Sequence, residues 1–261
     1  GFMLSISESP NQFMIYLKND EQIGLMRKAN QIVKNALELA EELVKPGITT
    51  EFLNERLHAL IVKEGAYPSF LNYEGYPKSI CTPIDEEVVH GIPSAKRFLE
   101  EGSIISVDVG AVKDGFHGDA ARTFAVGKIS AEKQNLIDVT RQSFFEAAKI
   151  IREGVRLGDV GHAIDSYVRS FGYSTVKVMV GHGIGKEMHE MPDVPNYGVP
   201  GKGLRLLAGM TIAIEPMVNM GAYQVKFLPD GWTCVTADGK PSAHYENTLA
   251  VTKDGCDILS L

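Results

Sequence analysis

A chain of 261 residues, 44% hydrophobic and 23% charged, has the composition of an ordinary soluble globular protein and the length to bury a large core. A formal charge of −7 excludes a surface built to grip phosphate backbones, and no run of 18 apolar residues offers a membrane span. Cys81, Cys234 and Cys256 are odd in number and lack CxxC spacing, which points to a reducing, cytoplasmic setting with neither disulfide scaffold nor zinc knuckle.

Residues 1–13 read as a tag remnant or a disordered N-terminus, and 14–261 as a single domain, because no low-complexity linker divides them. Asn19 opens the first predicted helix, with Gln22 three residues on in capping-box position. Ile23, Met26, Ile32, Val33, Ala36, Leu37 and Ala40 keep an apolar stripe until Lys45-Pro46-Gly47 stops it. Thr50 is the predicted cap of a second helix with Leu53, Leu57, Leu60 and Ile61 inside, closed by Gly65. The pattern then recurs: a helix over 131–152, Gly154, and a helix with Val160, Ile164, Tyr167 and Val168, closed by Gly172.

The recurrence has a fixed offset. Gly154 follows Gly47, and Gly172 follows Gly65, by the same 107 positions that separate segment 99–108 from segment 206–215. Each segment is an apolar strand ending in an acid, Asp108 in one and Glu215 in the other. A duplicated helix-helix-strand unit predicts an α+β fold with a pseudo-twofold axis, and one site at the junction of its halves.

Asp114-Gly115 is a strong hairpin signal between two apolar runs. With that tip, Asp108 opposes Ala121 and Gly110 opposes Asp119. The two aspartates then share a face as diagonal neighbours, roughly 7–8 Å apart at the backbone. Ile105, Val107, Val109, Phe116, Ala120 and Phe124 fall on the other face as core.

Three further residues carry metal-ligand chemistry. His182 sits between glycines in Gly181-His182-Gly183-Ile184-Gly185, after the apolar run 176–180, where glycine permits close approach. Glu215 ends its strand before Pro216, and Glu246 lies in the strand-like run 244–251. Any one of these reads equally well as a turn histidine or a strand-end acid. Together, four carboxylates and one imidazole suit manganese, iron, cobalt or zinc, and carry more negative charge than one divalent ion requires. Two ions roughly 3.5–4 Å apart fit better.

On these residues the chain resembles the type I methionine aminopeptidases of bacterial type, which have the pita-bread fold, from about Ile23 to the C-terminus. The carriers are Gly75-Tyr76-Pro77-Lys78-Ser79, His90-Gly91-Ile92-Pro93, Asp108, His117-Gly118-Asp119, Gly181-His182-Gly183-Ile184-Gly185, His189-Glu190, Ile214-Glu215-Pro216-Met217 and Tyr245-Glu246-Asn247. The resemblance implies that Asp108, Asp119, His182, Glu215 and Glu246 hold two divalent ions, with Asp119 and Glu246 shared. It implies substrate-handling roles for His90 and His189, and a proton-accepting role for Glu215. It gives the methionine pocket to Phe70, Tyr73, Tyr76, Cys81, Met188 and Trp232, whose aromatic and sulfur groups suit a thioether. His58, His117, His162 and His244 receive no ligand role. The implied substrates are nascent polypeptide N-termini with a small second residue, met near the ribosome exit by a cytoplasmic monomer with no nucleic-acid or membrane site.

Spacing separates the relatives. Glu246 follows Glu215 by only 31 positions, too few for the helical insertion expected of type II enzymes. A prolidase-like enzyme acting on Xaa-Pro bonds is expected to carry an extra N-terminal domain before the first ligand. The remaining alternative is a creatinase-fold protein without metals, in which the acids have other partners.

Overall fold

In a computed structural model the residues described are 14–261, so the reading of 1–13 lies outside them. Helix α1 (Asp20–Leu43) starts at the predicted capping box: Gln22 N–H donates to the Asn19 side chain, and Asn19 N–H to the Gln22 side chain. Helix α2 (Thr50–Lys63) is capped by Thr49, whose hydroxyl accepts from Phe52 N–H, rather than by Thr50. The neighbouring hydroxyl is already committed, because Thr50 donates to the Ser94 carbonyl and accepts from Ser94 N–H. Helix α3 (Ala131–Ala148) stops four residues before the expected 152. Beyond it Ile150 and Ile151 N–H turn to the carbonyls three residues back, while buried Ile151 prolongs the apolar pattern past the helix. Helix α4 spans Leu157–Arg169.

The strands Ile104–Lys113 and Phe116–Ala125 form the predicted hairpin in the predicted register, Asp108 opposite Ala121 and Gly110 opposite Asp119. Its tip residues Asp114 and Gly115 both have positive φ, 51° and 82°, the conformation whose twist matches the flanking strands. On one face Ile105, Val107, Val109 and Ala120 pack against Val33, Ala36, Leu37 and Ala40 of α1 and Leu53, Leu57 and Ile61 of α2. Phe116 leaves this cluster for a smaller one with Met26, Ile184, Ala213 and Leu259. Each fully buried Val, Leu, Ile, Phe or Met side chain here contributes about 1.5–3 kcal/mol of transfer free energy.

The second half repeats the arrangement. A five-stranded sheet runs in the order Cys256–Ile258, Asn247–Val251, Thr211–Ile214, Gly181–Gly183, Glu190–Val194. Helices α3 and α4 cover it, with Leu136, Phe144, Val160, Ile164 and Val168 against Ile212, Ile214, Leu249 and Val251. The apolar run 176–180 forms no strand of its own.

The duplication is visible in single bonds. Gly47 N–H donates to the Leu99 carbonyl and Gly154 N–H to the Leu206 carbonyl, both at 2.8 Å. Gly47 and Gly154 have φ of 96° and 92°, and Gly65 and Gly172 both have 79°. The halves meet where Ala121 and Glu246 exchange two backbone hydrogen bonds of 3.1 Å.

That junction splits the run 244–251, expected as one strand. Ser242–His244 pairs with Met217–Asn219, whereas Asn247–Val251 pairs with Thr211–Ile214. Tyr245 and Glu246 carry the chain from one sheet to the other. Glu246 therefore arrives at the axis between them.

Candidate metal centre

The faces turned away from the helical layers bring the five expected ligand residues together. Asp108 projects from the first hairpin strand opposite Cys81, and Asp119 from the second. Asp119 N–H is shared between Asn30 Oδ1 and Thr248 Oγ1, and the Thr248 hydroxyl donates back to the Asp119 carbonyl at 2.8 Å. Helix α1 and the second-half sheet thus hold this residue jointly. Glu215 follows Thr211–Ile214 directly, and Asn196 Nδ2 donates to its carbonyl at 3.1 Å. Arg122 fixes the backbone at Glu246, donating from Nη1 to the Ala121 and Glu246 carbonyls and from Nη2 to Asn247 Oδ1.

His182 shows why its neighbours are glycines. A Cβ on residue 181 would lie 2.3 Å from the Ala213 carbonyl oxygen, and one on residue 183 only 2.2 Å from that of Met191. The imidazole Nδ1 donates to the Gly183 carbonyl at 2.8 Å, which turns Nε2 inward toward the acids. Nε2 stands 3.3 Å from Glu215 Oε2, 3.5 Å from Asp119 Oδ2 and 3.9 Å from Glu246 Oε2.

All of these groups are buried, and their electrostatics call for a cation. Burial, then the charge of Asp108, pushes the Asp119 carboxyl up to about 7, with His182 opposing. Burial and the charges of Asp119, Glu215 and Asp108 raise Glu246 well above the carboxylate range. Burial works to lower His182, but Asp119 and Glu215 outweigh it and carry the imidazole up to about 9. Among the described residues, none of the four carboxylate oxygens of Asp119 and Glu246 accepts a hydrogen bond. Buried acceptors left this way are costly unless a cation satisfies them. Asp119, His182, Glu215 and Glu246 can each offer one donor atom within 4.8 Å of the others. Oxygen-rich donors with one imidazole fit a divalent transition metal.

Beside this cluster Phe70, Tyr76, Cys81 and Met188 form a buried apolar group, with Tyr73, Trp232 and Ile92 packed against it. All six expected pocket residues are in it, and Ile92 is an addition. Tyr76 meets Trp232 edge-on at 5.1 Å, and its hydroxyl donates to the Ile80 carbonyl. Burial, reinforced by Asp108, raises the Cys81 thiol, so it lines the pocket as a neutral group.

The two other expected histidines flank the site. His90 is buried with φ at +59°, a left-handed backbone that a side chain adopts at a cost, and its ring stands edge-on to Trp232. His189 lies 4.2 Å from His182, ring centre to ring centre, and its Nδ1 pairs with the Tyr73 hydroxyl at 2.9 Å. Burial pushes that phenol up to about 12, so it keeps its proton and donates it to Nδ1. Burial, then the positive charge of His182, drives His189 well below its ordinary value. It is a neutral imidazole with its N–H at Nε2.

The four histidines given no ligand role divide. His58 pairs with Ser79 and His117 with Ser69, while His162 is exposed on α4. His244 belongs at the centre instead, with Nε2 3.9 Å from Glu215 Oε1. Arg122, Asn196 and Thr248 were also missed, because each acts through backbone groups that residue spacing does not reveal.

A model of metallopeptidase family M24 matches residues 24–253. The chain is 54% identical to a methionine aminopeptidase of Clostridium acetobutylicum, over 95% of this chain and 99% of that one. It is 47% identical to methionine aminopeptidase 1 of Bacillus subtilis, again over 95% and 99%. The crystal structure of methionine aminopeptidase from Thermotoga maritima superposes with a TM-score of 0.93 at 43% identity, covering 95% of this chain and 99% of that one. A prolidase from Pyrococcus furiosus shares the fold alone, at 22% identity and a TM-score of 0.73, with 94% of this chain matching 65% of that one.

Proposed function

Because the chain belongs to metallopeptidase family M24, and within it to the methionine aminopeptidases, we propose that it removes the N-terminal methionine from nascent proteins and peptides whose second residue is small. The observation that carries this reading is a buried set of four carboxylates and one imidazole beside an aromatic and sulfur-lined pocket. Asp108, Asp119, His182, Glu215 and Glu246 would hold two divalent ions of manganese, iron, cobalt or zinc. Ions bound there would activate a water and polarise the scissile carbonyl.

The protein's own groups do the rest. The thioether enters among Phe70, Tyr73, Tyr76, Cys81, Met188 and Trp232, which fixes the peptide's position and excludes water from that side. Glu215 accepts the proton of the attacking water at a carboxylate oxygen and returns it to the leaving amide nitrogen. The Nε2–H of His189 donates to the carbonyl oxygen as it gains charge, and the Tyr73 hydroxyl holds the ring for that task. His90 contacts the substrate backbone beside the leaving nitrogen. The enzyme works as a cytoplasmic monomer on chains emerging near the ribosome exit. No helix among the described residues is long and apolar enough to cross a membrane.

Substrate choice tests this reading. The kcat/KM should be highest for Met-Ala-Ser and fall roughly 10–200-fold for Leu-Ala-Ser, which lacks the thioether reach. Met-Lys-Ser should be poor because its second residue is bulky. The same order is expected with manganese and with cobalt. Leucine removal as fast as methionine removal under both metals would make the protein a broad aminopeptidase, and preferential cleavage of Ala-Pro would make it prolidase-like.

A further inference from the structure

His244 is the histidine at the centre to which no part of hydrolysis has been given. It is buried, and among the described residues neither of its ring nitrogens has a hydrogen-bond partner. It ends the strand Ser242–His244, two residues before Glu246. Alternation along extended chain puts His244 and Glu246 on one side and Tyr245 on the other, where it packs against Phe144. A ring nitrogen of His244 and one oxygen each of Asp108 and Glu246 lie within 4.8 Å of one another. This group is separate from Asp119, His182, Glu215 and Glu246, and meets it only at Glu246.

We propose that His244 is a further donor of the centre, binding through a ring nitrogen the divalent ion held by Asp108 and Glu246. The proposal rests on the two-ion reading above, and it gives each ion one imidazole, His182 on one and His244 on the other. An imidazole on both ions strengthens binding of cobalt and zinc relative to manganese, whose preferred donors are oxygens.

The test is proton NMR of the protein loaded with two equivalents of cobalt(II), where imidazole N–H protons of bound histidines are strongly shifted and disappear in deuterium oxide. Wild-type protein should give two such signals, His182→Gln and His244→Gln one each, and the signal lost should differ between the variants. Calorimetric titration of His244→Leu should show one of two cobalt-binding events weakened roughly tenfold or more, and manganese binding weakened less. The wild-type spectrum decides even where a variant folds poorly. A single shifted signal in loaded wild-type protein would overturn the role of His244 and leave the metal centre standing. Wild-type protein that binds no divalent ion overturns the two-ion reading and this proposal with it.

Discussion

Asp119→Ala is expected to abolish turnover and to lower metal content together, by more than about 100-fold in metal affinity, since even groups behind a ligand cost 10–100-fold. Asp119 is held by both halves of the fold, its N–H shared between Asn30 of α1 and Thr248 of the second-half sheet, and among the described residues its two carboxylate oxygens accept no hydrogen bond. Those bonds are made by its backbone, so the variant keeps them. Removing the carboxylate also relieves the cost of its burial and its repulsion with Asp108, which in that order push the group up to about 7. The metal-free variant should therefore melt no lower than metal-free wild type, because an uncompensated buried charge destabilises. Asp108→Ala should likewise lose turnover and metal. Metal analysis, turnover of Met-Ala-Ser and thermal melts check this, and full activity in Asp119→Ala would sink the assignment.

His189→Ala should lower kcat with metal content unchanged. Loss of one donor to a developing oxyanion costs about 2.7–4 kcal/mol, or 10²–10³ in kcat. That donation is assigned to Nε2, because Nδ1 pairs with the Tyr73 hydroxyl at 2.9 Å. Tyr73→Phe should give a smaller fall in kcat, since it frees the ring without removing the donor. Loss of metal in His189→Ala would make the residue a ligand instead.

The sequence carries most of this architecture where short-range chemistry decides it. Asp114-Gly115 determines a register, and that register alone brings Asp108 and Asp119 to one face. The offset of 107 between Gly47 and Gly154 survives as the same hydrogen bond made twice. What escaped depends on competition between neighbours or on contacts distant in the chain. Thr49 and Thr50 are equally good caps, and the choice falls to Ser94, 44 residues away. The apolar Ile150-Ile151 continues a helical stripe that hydrogen bonding has already abandoned. The run 244–251 alternates like one strand, yet Ala121 draws Glu246 out of it. His244 was within reach of sequence reasoning, since two residues before Glu246 on extended chain means the same side.

The central claim is that the buried carboxylates are a binding site for the ions that hydrolysis needs. It is tested most directly by stripping the protein with a chelator and adding manganese or cobalt stepwise, with bound metal and methionine release from Met-Ala-Ser measured on the same samples. The account predicts negligible activity in the stripped protein, recovery that tracks bound metal, and no recovery in Asp119→Ala. Undiminished methionine release from protein shown to hold no metal would contradict it.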